Sequence, residues 1–299
     1  MKCLHPLEVS PYKNIRKYIL VPCGKCPACL STKRDDLAFR LDAEYNSRDT
    51  LCSLFITLTY SPEYVPLNTD PNTGEEFMQV SPDDIHNFFK YFRKLGKEYD
   101  LKFTYFLASE YGDQFGRPHY HAIFFIKYIN SRNILDDVTK LVETAWYRGF
   151  VKVEFPRASF SALNYVTKYV IKDVCLDLKD DYKKNFTRRS KGLGLSCIFG
   201  NTFRVGQTLK FVDSENRVHI LPRYYQSHIF NETQLKQHQA FTKLYVENQL
   251  ENKMYEYGMT YEQLQDYEYG MKSYNSREYL VRSSSVQSDN FYNRSFDKF

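Results

Sequence analysis

The chain runs to 299 residues, 42% hydrophobic and 17% aromatic, enough apolar material for one large core or two smaller ones. Net charge is +5 and uneven: from Asn231 onward eight Lys/Arg face ten Asp/Glu, a net of −2, so residues 1–230 hold +7 and carry whatever affinity the chain has for a polyanion. No run approaches the roughly 20 apolar residues of a membrane helix, the start lacks the apolar stretch of a secretory signal, no Walker-type phosphate loop encodes an ATP-driven motor, and seven cysteines in a chain this long point to a reducing cytosol, not a disulfide framework.

Residues 1–35 read as irregular, with prolines and closely spaced cysteines, and a helix is expected from about Thr32 to Tyr45. Leu54 to Tyr60 is rich in β-formers and is stopped by Ser61-Pro62, which predicts a strand. Residues 61–80 read as a loop. Ser81-Pro82-Asp83-Asp84 supplies a capping hydroxyl, a proline at the first position and two acids in the first turn. The helix it starts runs to about Tyr99, with Ile85, Phe88, Phe89, Phe92 and Leu95 as its apolar stripe. Phe103 to Ala108 is the next strand, Glu110 to Pro118 a turn, and His119 to Ile126 a strand that pairs back like a hairpin. Ser131 opens a helix to about Tyr147, Gly149 breaks it, a strand covers Phe150 to Phe155, and a helix covers Ala158 to Val174. Residues 176–230 show no clear period. Helical patterns return over Glu232 to Tyr257 and Tyr261 to Lys272, and the Ser- and Asn-rich last twenty residues are expected to be mobile. The order predicts an α+β fold, an antiparallel sheet covered by helices with a helical C-terminal extension.

His119 and His121 are two apart on a strand, so both imidazoles share a face, a metal-ligand arrangement. A third ligand is needed, and Glu110 is the best placed, near the open end of the hairpin. Two imidazoles and one carboxylate leave positions for water and phosphate oxygens and accept Mg²⁺ or Mn²⁺. On the following helix Tyr165, Lys168, Tyr169 and Lys172 form one stripe. A phenol attacks phosphorus poorly unaided. A lysine within one turn stabilises the phenolate, and a metal neutralises phosphate charge.

Phe55-Ile56-Thr57-Leu58-Thr59-Tyr60, Gly116-Arg117-Pro118-His119-Tyr120-His121 and Tyr165-Val166-Thr167-Lys168-Tyr169 together resemble, in order and spacing, the three motifs of HUH-superfamily rolling-circle replication initiators. Two tyrosines separated by three residues resemble the family's two-tyrosine branch. Pro22-Cys23-Gly24-Lys25-Cys26-Pro27-Ala28-Cys29 and Ser109-Glu110-Tyr111-Gly112-Asp113 are similar to the initiators of gokushovirus-type microviruses. The resemblance covers about residues 20–175. It implies an RRM/ferredoxin-like sheet and a tyrosine that cleaves single-stranded origin DNA, keeping the 5′-phosphate as a phosphotyrosine. A second tyrosine then rejoins the strand. It implies a host helicase and polymerase as partners and the host bacterial cytoplasm as the place of action. Which tyrosine acts first stays open, and motif one reads as a supporting strand. A transposase or relaxase would share the chemistry. A zinc-containing single-stranded DNA-binding protein without catalysis is the reading from a different class.

Cys23, Cys26 and Cys29 are spaced two residues apart, with Cys3 upstream, a pattern for Zn²⁺ held with Cys3 as fourth ligand; an iron–sulfur cluster and free thiols are the alternatives. Cys52, Cys175 and Cys197 are isolated. The basic run from Lys183 to Lys191 includes Lys184, Arg188 and Arg189, which with Arg117 and Lys172 are candidate DNA contacts. The expected division is a Cys-rich segment over 1–35, the nicking domain with its basic insert over 36–230, and a Tyr-rich helical extension over 231–299.

Overall fold

The computed structural model describes residues 3, 5–9, 19–112, 116–155, 183–199, 203–212, 218–260, 263–264 and 267. It divides into two compact units, Lys33–Asn201 on one hand and Met1–Thr32 with Thr202–Phe299 on the other, the division falling inside the first helix. In chain order the elements are β1 (Leu7–Val9), β2 (Ile19–Val21), α1 (Pro27–Tyr45), β3 (Cys52–Tyr60), β4 (Leu67–Thr69), β5 (Glu76–Met78), α2 (Pro82–Gly96), β6 (Lys102–Tyr111), β7 (Pro118–Tyr128), α3 (Ile134–Ala145), β8 (Gly149–Glu154), β9 (Thr187–Arg189), β10 (Lys210–Val212), β11 (Val218–Ile220), α4 (Arg223–Ile229) and α5 (Glu232–Tyr257). Among the described residues no helix is long and apolar enough to cross a membrane.

The unit Lys33–Asn201 is an α+β sandwich. Its sheet has the order β8-β3-β7-β6-β9, every pair antiparallel. Alternation along β7 divides its side chains between two layers. Tyr120, Ala122, Phe124 and Ile126 join the large core built with α2 and α3, while Ile123 and Phe125 pack with Leu37 and Leu41 of α1. α2 starts as its sequence dictates, with the Ser81 side chain accepting from the Asp84 N–H and Pro82 in the first turn. Ile85, Phe88, Phe89 and Phe92 are buried, and Leu95 packs partly buried against the same core. Each buried phenylalanine stabilises by about 1.5–3 kcal/mol. The rings pack offset or edge-on, as Phe88 on Trp146 and Phe92 on Phe103.

Several boundaries depart from the sequence expectations. α1 begins at Pro27, not near Thr32, because proline at the first helical position costs no hydrogen bond. The segment read as a loop contains the β4–β5 hairpin, closed around Gly74 at φ +73. α3 starts at Ile134, capped by the Asn133 side chain, and not at Ser131, whose hydroxyl donates to Asp137. β6 continues through Glu110 to Tyr111, so Glu110 is a strand residue and not the start of a turn. The helix expected over Ala158 to Val174 lies outside the described residues, as does most of Tyr261 to Lys272.

In the other unit, β1 pairs with β2 and β10 with β11, and α5 spans the helix expected there, opened by a reciprocal Asn231/Gln234 capping box.

Candidate metal and nucleic-acid site

Cross-strand register sets up the site. Thr59 of β3 pairs with His119 of β7, which pairs with Glu110 of β6; one step along, Thr57 pairs with His121, which pairs with Ala108. Directly paired residues point to one face, so Thr57, Thr59, Glu110, His119 and His121 all project from the face that also carries Phe106, Ile123 and Phe125. The group sits at the closed end of the β6–β7 hairpin, beside its turn, and not at the open end expected from the sequence, because β6 runs on to Tyr111.

Each threonine holds one imidazole. Thr57 Oγ1 lies 3.3 Å from His121 Nδ1, and Thr59 Oγ1 lies 3.0 Å from His119 Nδ1. With Nδ1–H donated to threonine, each Nε2 carries a lone pair. His121 Nε2 stands 3.0 Å from Glu110 Oε2, both groups buried. A nitrogen lone pair and a carboxylate oxygen at that distance attract only with a cation between them, a proton or a metal ion. Phe55 stacks on the His121 ring, centroids 5.9 Å apart, and limits its rotation. Burial holds the His119 imidazole below its ordinary pKa; repulsion from His121 and Arg117 acts the same way, and Glu110 opposes it. Arg117 therefore acts electrostatically at this site.

His119 is set by a close backbone approach. A Cβ on Gly112 would lie 3.0 Å from His119 Nε2 and 3.3 Å from the Arg117 carbonyl oxygen, so any side chain there pushes on the ring. The three side chains are not drawn together as tightly as a closed structural site. Among the described residues, the cysteines Cys3, Cys23, Cys26 and Cys29 alone gather three or more ligand atoms all within 4.8 Å of one another. The donor set of Glu110, His119 and His121 nonetheless fits a divalent ion with open positions: mixed N and O ligands, both Nδ1 atoms engaged by threonine, and Glu110 already against one Nε2.

Motif-one residue Tyr60 belongs to the opposite face. Its hydroxyl donates to Asp84 Oδ2 at 2.9 Å and meets the Tyr120 hydroxyl at 3.0 Å, while the Ser81 N–H donates to Tyr120 at 2.8 Å. Burial pushes both phenols up, Tyr120 to about 12, so neither is poised to ionise near neutral pH. The tyrosines proposed from sequence as nucleophiles, Tyr165 and Tyr169, lie outside the described residues, together with Lys168 and Lys172.

The basic insert divides by strand parity. Lys183 and Lys184 are exposed ahead of β9, and the Lys183 carbonyl accepts from the Tyr111 hydroxyl at 2.8 Å. Arg189 pairs with Phe106 and shares the histidine face, whereas Arg188 pairs with Leu107 and takes the opposite one. There Arg188 meets a feature that sequence reading missed. His86, Lys90, Arg93, Lys94 and Lys97 run along the exposed face of α2, and with Arg188 and Tyr105 they line a concavity of about 680 Å³. Arg93 lies over the Phe89 and Tyr105 rings, at 5.4 Å and 5.8 Å. The signal was present: basic residues at positions 86, 90, 93, 94 and 97 mark one helical stripe. Two further residues escaped notice on the histidine face. Phe150 pairs with Thr59 and is 63% exposed, and Lys152 pairs with Thr57.

Residues 53–174 match the replication-associated protein ORF2 family. The replication-associated protein ORF2 of Spiroplasma virus 4 is 30% identical over 216 residues, 66% of this chain and 64% of that protein. Replication-associated protein ORF4 of Chlamydia phage 1 is 26% identical over 242 residues, 75% of this chain and 57% of that protein. Replication-associated protein VP4 of Bdellovibrio phage phiMH2K is 27% identical over 256 residues, covering 76% of each. The chain thus matches less than two thirds of the length of the first two relatives. No solved structure matches. The family match takes in Thr57, Thr59, Glu110, both histidines and both motif tyrosines. On that ground the chain is a relative of the replication-associated proteins of gokushovirus-type microviruses, and its segment 53–174 belongs to the replication-associated protein ORF2 family.

Proposed function

We propose that this protein initiates replication of a small phage genome by nicking single-stranded origin DNA and rejoining it, a metal-dependent HUH-type strand transferase. The observation that carries the reading is the assembly of Glu110, His119 and His121 on one sheet face, with each imidazole turned by a threonine of the neighbouring strand.

In the proposed reaction, the Tyr165 or Tyr169 oxygen attacks the scissile phosphorus. A P–O tyrosyl bond forms, the P–O3′ bond breaks, and the 3′ oxygen takes a proton to leave a free 3′-OH for a polymerase. The phosphodiester energy stays in the phosphotyrosine link, so the second tyrosine can repeat the attack at the regenerated origin, and the first link is released by the 3′-OH without ATP. Glu110, His119 and His121 would hold Mg²⁺ or Mn²⁺, which supplies polarisation of the scissile phosphate. Lys168 would stabilise the phenolate, with Lys172 and Arg117 on the DNA backbone. The host supplies helicase and polymerase, in its cytoplasm.

The test is incubation of the full chain with labelled single-stranded origin DNA and Mn²⁺ or Mg²⁺, followed by denaturing electrophoresis. A metal-dependent adduct that survives SDS and vanishes in the Tyr165→Phe/Tyr169→Phe double variant is expected. Tight binding with no adduct would instead mean a DNA-binding protein without catalysis.

The α2 stripe and Arg188 are the proposed path for flanking DNA, phosphates on the cations and bases on the aromatic rings. Replacing Lys90 and Lys94 with alanine should lower the slope of log affinity against log salt by roughly 0.7 per lost phosphate contact. A slope unchanged in fluorescence anisotropy titrations would remove α2 from the DNA path.

A further inference from the structure

Cys3, Cys23, Cys26 and Cys29 take no part in the chemistry proposed above, yet they form the tightest ligand cluster among the described residues. Their four sulfurs all lie within 4.8 Å of one another. Cys3 Sγ and Cys26 Sγ are 3.8 Å apart, far beyond a disulfide bond, and neither belongs to a disulfide. Four thiolates around one zinc ion at about 2.3 Å stand about 3.8 Å apart at the corners of a tetrahedron. Backbone N–H groups also point at the sulfurs: Cys23 donates to Cys3 Sγ at 3.2 Å, while Lys25 and Cys26 donate to Cys23 Sγ at 3.4 Å and 3.3 Å. Such donors offset the charge that thiolates carry. The tight turn between Cys23 and Cys26 is made by Gly24 at φ +74.

We propose that these four cysteines hold one structural Zn²⁺ that clasps the open end of the β1–β2 hairpin to the first turn of α1. Cys3 precedes β1, Cys23 follows β2, and Cys26 and Cys29 flank the start of the helix. The clasp is needed because little else is there. The hairpin pairs only three residues on each strand, too few for a two-stranded ribbon to persist in water. The local apolar cluster consists of Cys26, Ala28 and Cys29 with Cys3 and Cys23 against them, so the cysteines are themselves the core. Metal-binding energy becomes folding energy in such a segment. An iron–sulfur cluster would need sulfurs spread around several metal atoms, wider than 3.8 Å for Cys3 and Cys26.

The test is elemental analysis of the full chain purified without chelator. About one zinc per chain is expected, with most of it lost from Cys3→Ser and from Cys29→Ser, and none lost from Cys52→Ser. Where the serine variants do not fold, the unmodified chain still decides. Titration with a mercurial thiol reagent should release zinc to a chromogenic chelator, and exchange into Co²⁺ should give the intense visible bands of a tetrahedral thiolate site. Iron with its broad visible absorption, or a folded chain with no metal, overturns the proposal. Neither readout depends on DNA cleavage, so zinc content stands or falls apart from the nicking reaction.

Discussion

Replacing Glu44 with alanine is expected to destabilise the unit Lys33–Asn201 by about 3 kcal/mol, near the lower end of what breaking a buried ion pair costs. Glu44 lies on α1 and is 3% exposed. One carboxylate oxygen takes Lys127 Nζ at 2.6 Å and the Thr104 hydroxyl at 2.7 Å, and the other takes the Gly194 N–H at 2.7 Å. A single side chain thus ties α1 to β6, β7 and the turn after β9. Truncation leaves an ammonium and a buried N–H short of their acceptor, and the penalty falls on those orphaned groups. The lower end applies because Lys127 keeps some solvent access and also donates to Thr50 Oγ1 at 2.9 Å. The neighbouring backbone cannot move in to compensate. Gly194 sits at φ +81 with an ideal Cβ position only 2.6 Å from the Arg40 carbonyl, so turn and helix are already in contact. The chain's one tryptophan, Trp146, is buried in this unit and reports its unfolding without interference from elsewhere. Urea denaturation followed by its fluorescence measures the loss, and a change under about 1 kcal/mol would mean that the carboxylate is not the tie.

What the sequence disclosed and what it withheld follow from the range of the signals. Alternation is local, so the shared face of His119 and His121 could be read from the chain alone, and so could the apolar stripe of α2. Register between strands is not local. Nothing in the spacing of Thr57 and Thr59 says that they stand opposite the histidines, because that depends on how β3 slides against β7. Glu110 was legible as a ligand type but misread as a turn residue, since two nearby glycines drew the turn two residues too early. The start of α1 was hidden because a proline among cysteines looks like loop and also suits a first helical turn. The α2 cations were passed over because a charged stripe on an amphipathic helix is ordinary. Only β9, placed by a long-range pairing, brings Arg188 to the same concavity.

Changing His121 to alanine is expected to lower the rate of DNA adduct formation on the order of 10³-fold, since a site that loses a ligand loses several kcal/mol of charge stabilisation in the transition state. The more telling comparison is Thr57→Val, which keeps shape and removes only the oxygen 3.3 Å from His121 Nδ1. Losing such an outer contact should weaken metal binding by roughly 10- to 100-fold. Because the ligands themselves remain, saturating Mn²⁺ should restore most of the rate for Thr57→Val, and no Mn²⁺ concentration should restore it for His121→Ala. The pair of variants separates the two cations that could sit between His121 and Glu110. If a metal ion lies there, the Thr57 defect is one of affinity and titrates away. If a proton lies there instead, the histidine and carboxylate are a hydrogen-bonded structural pair, adduct formation is independent of added metal, and the Thr57 defect does not respond to Mn²⁺. Metal titrations of adduct yield at fixed DNA concentration, read alongside the urea midpoint of each variant, distinguish these outcomes, because a merely structural role moves the midpoint and leaves the metal dependence unchanged.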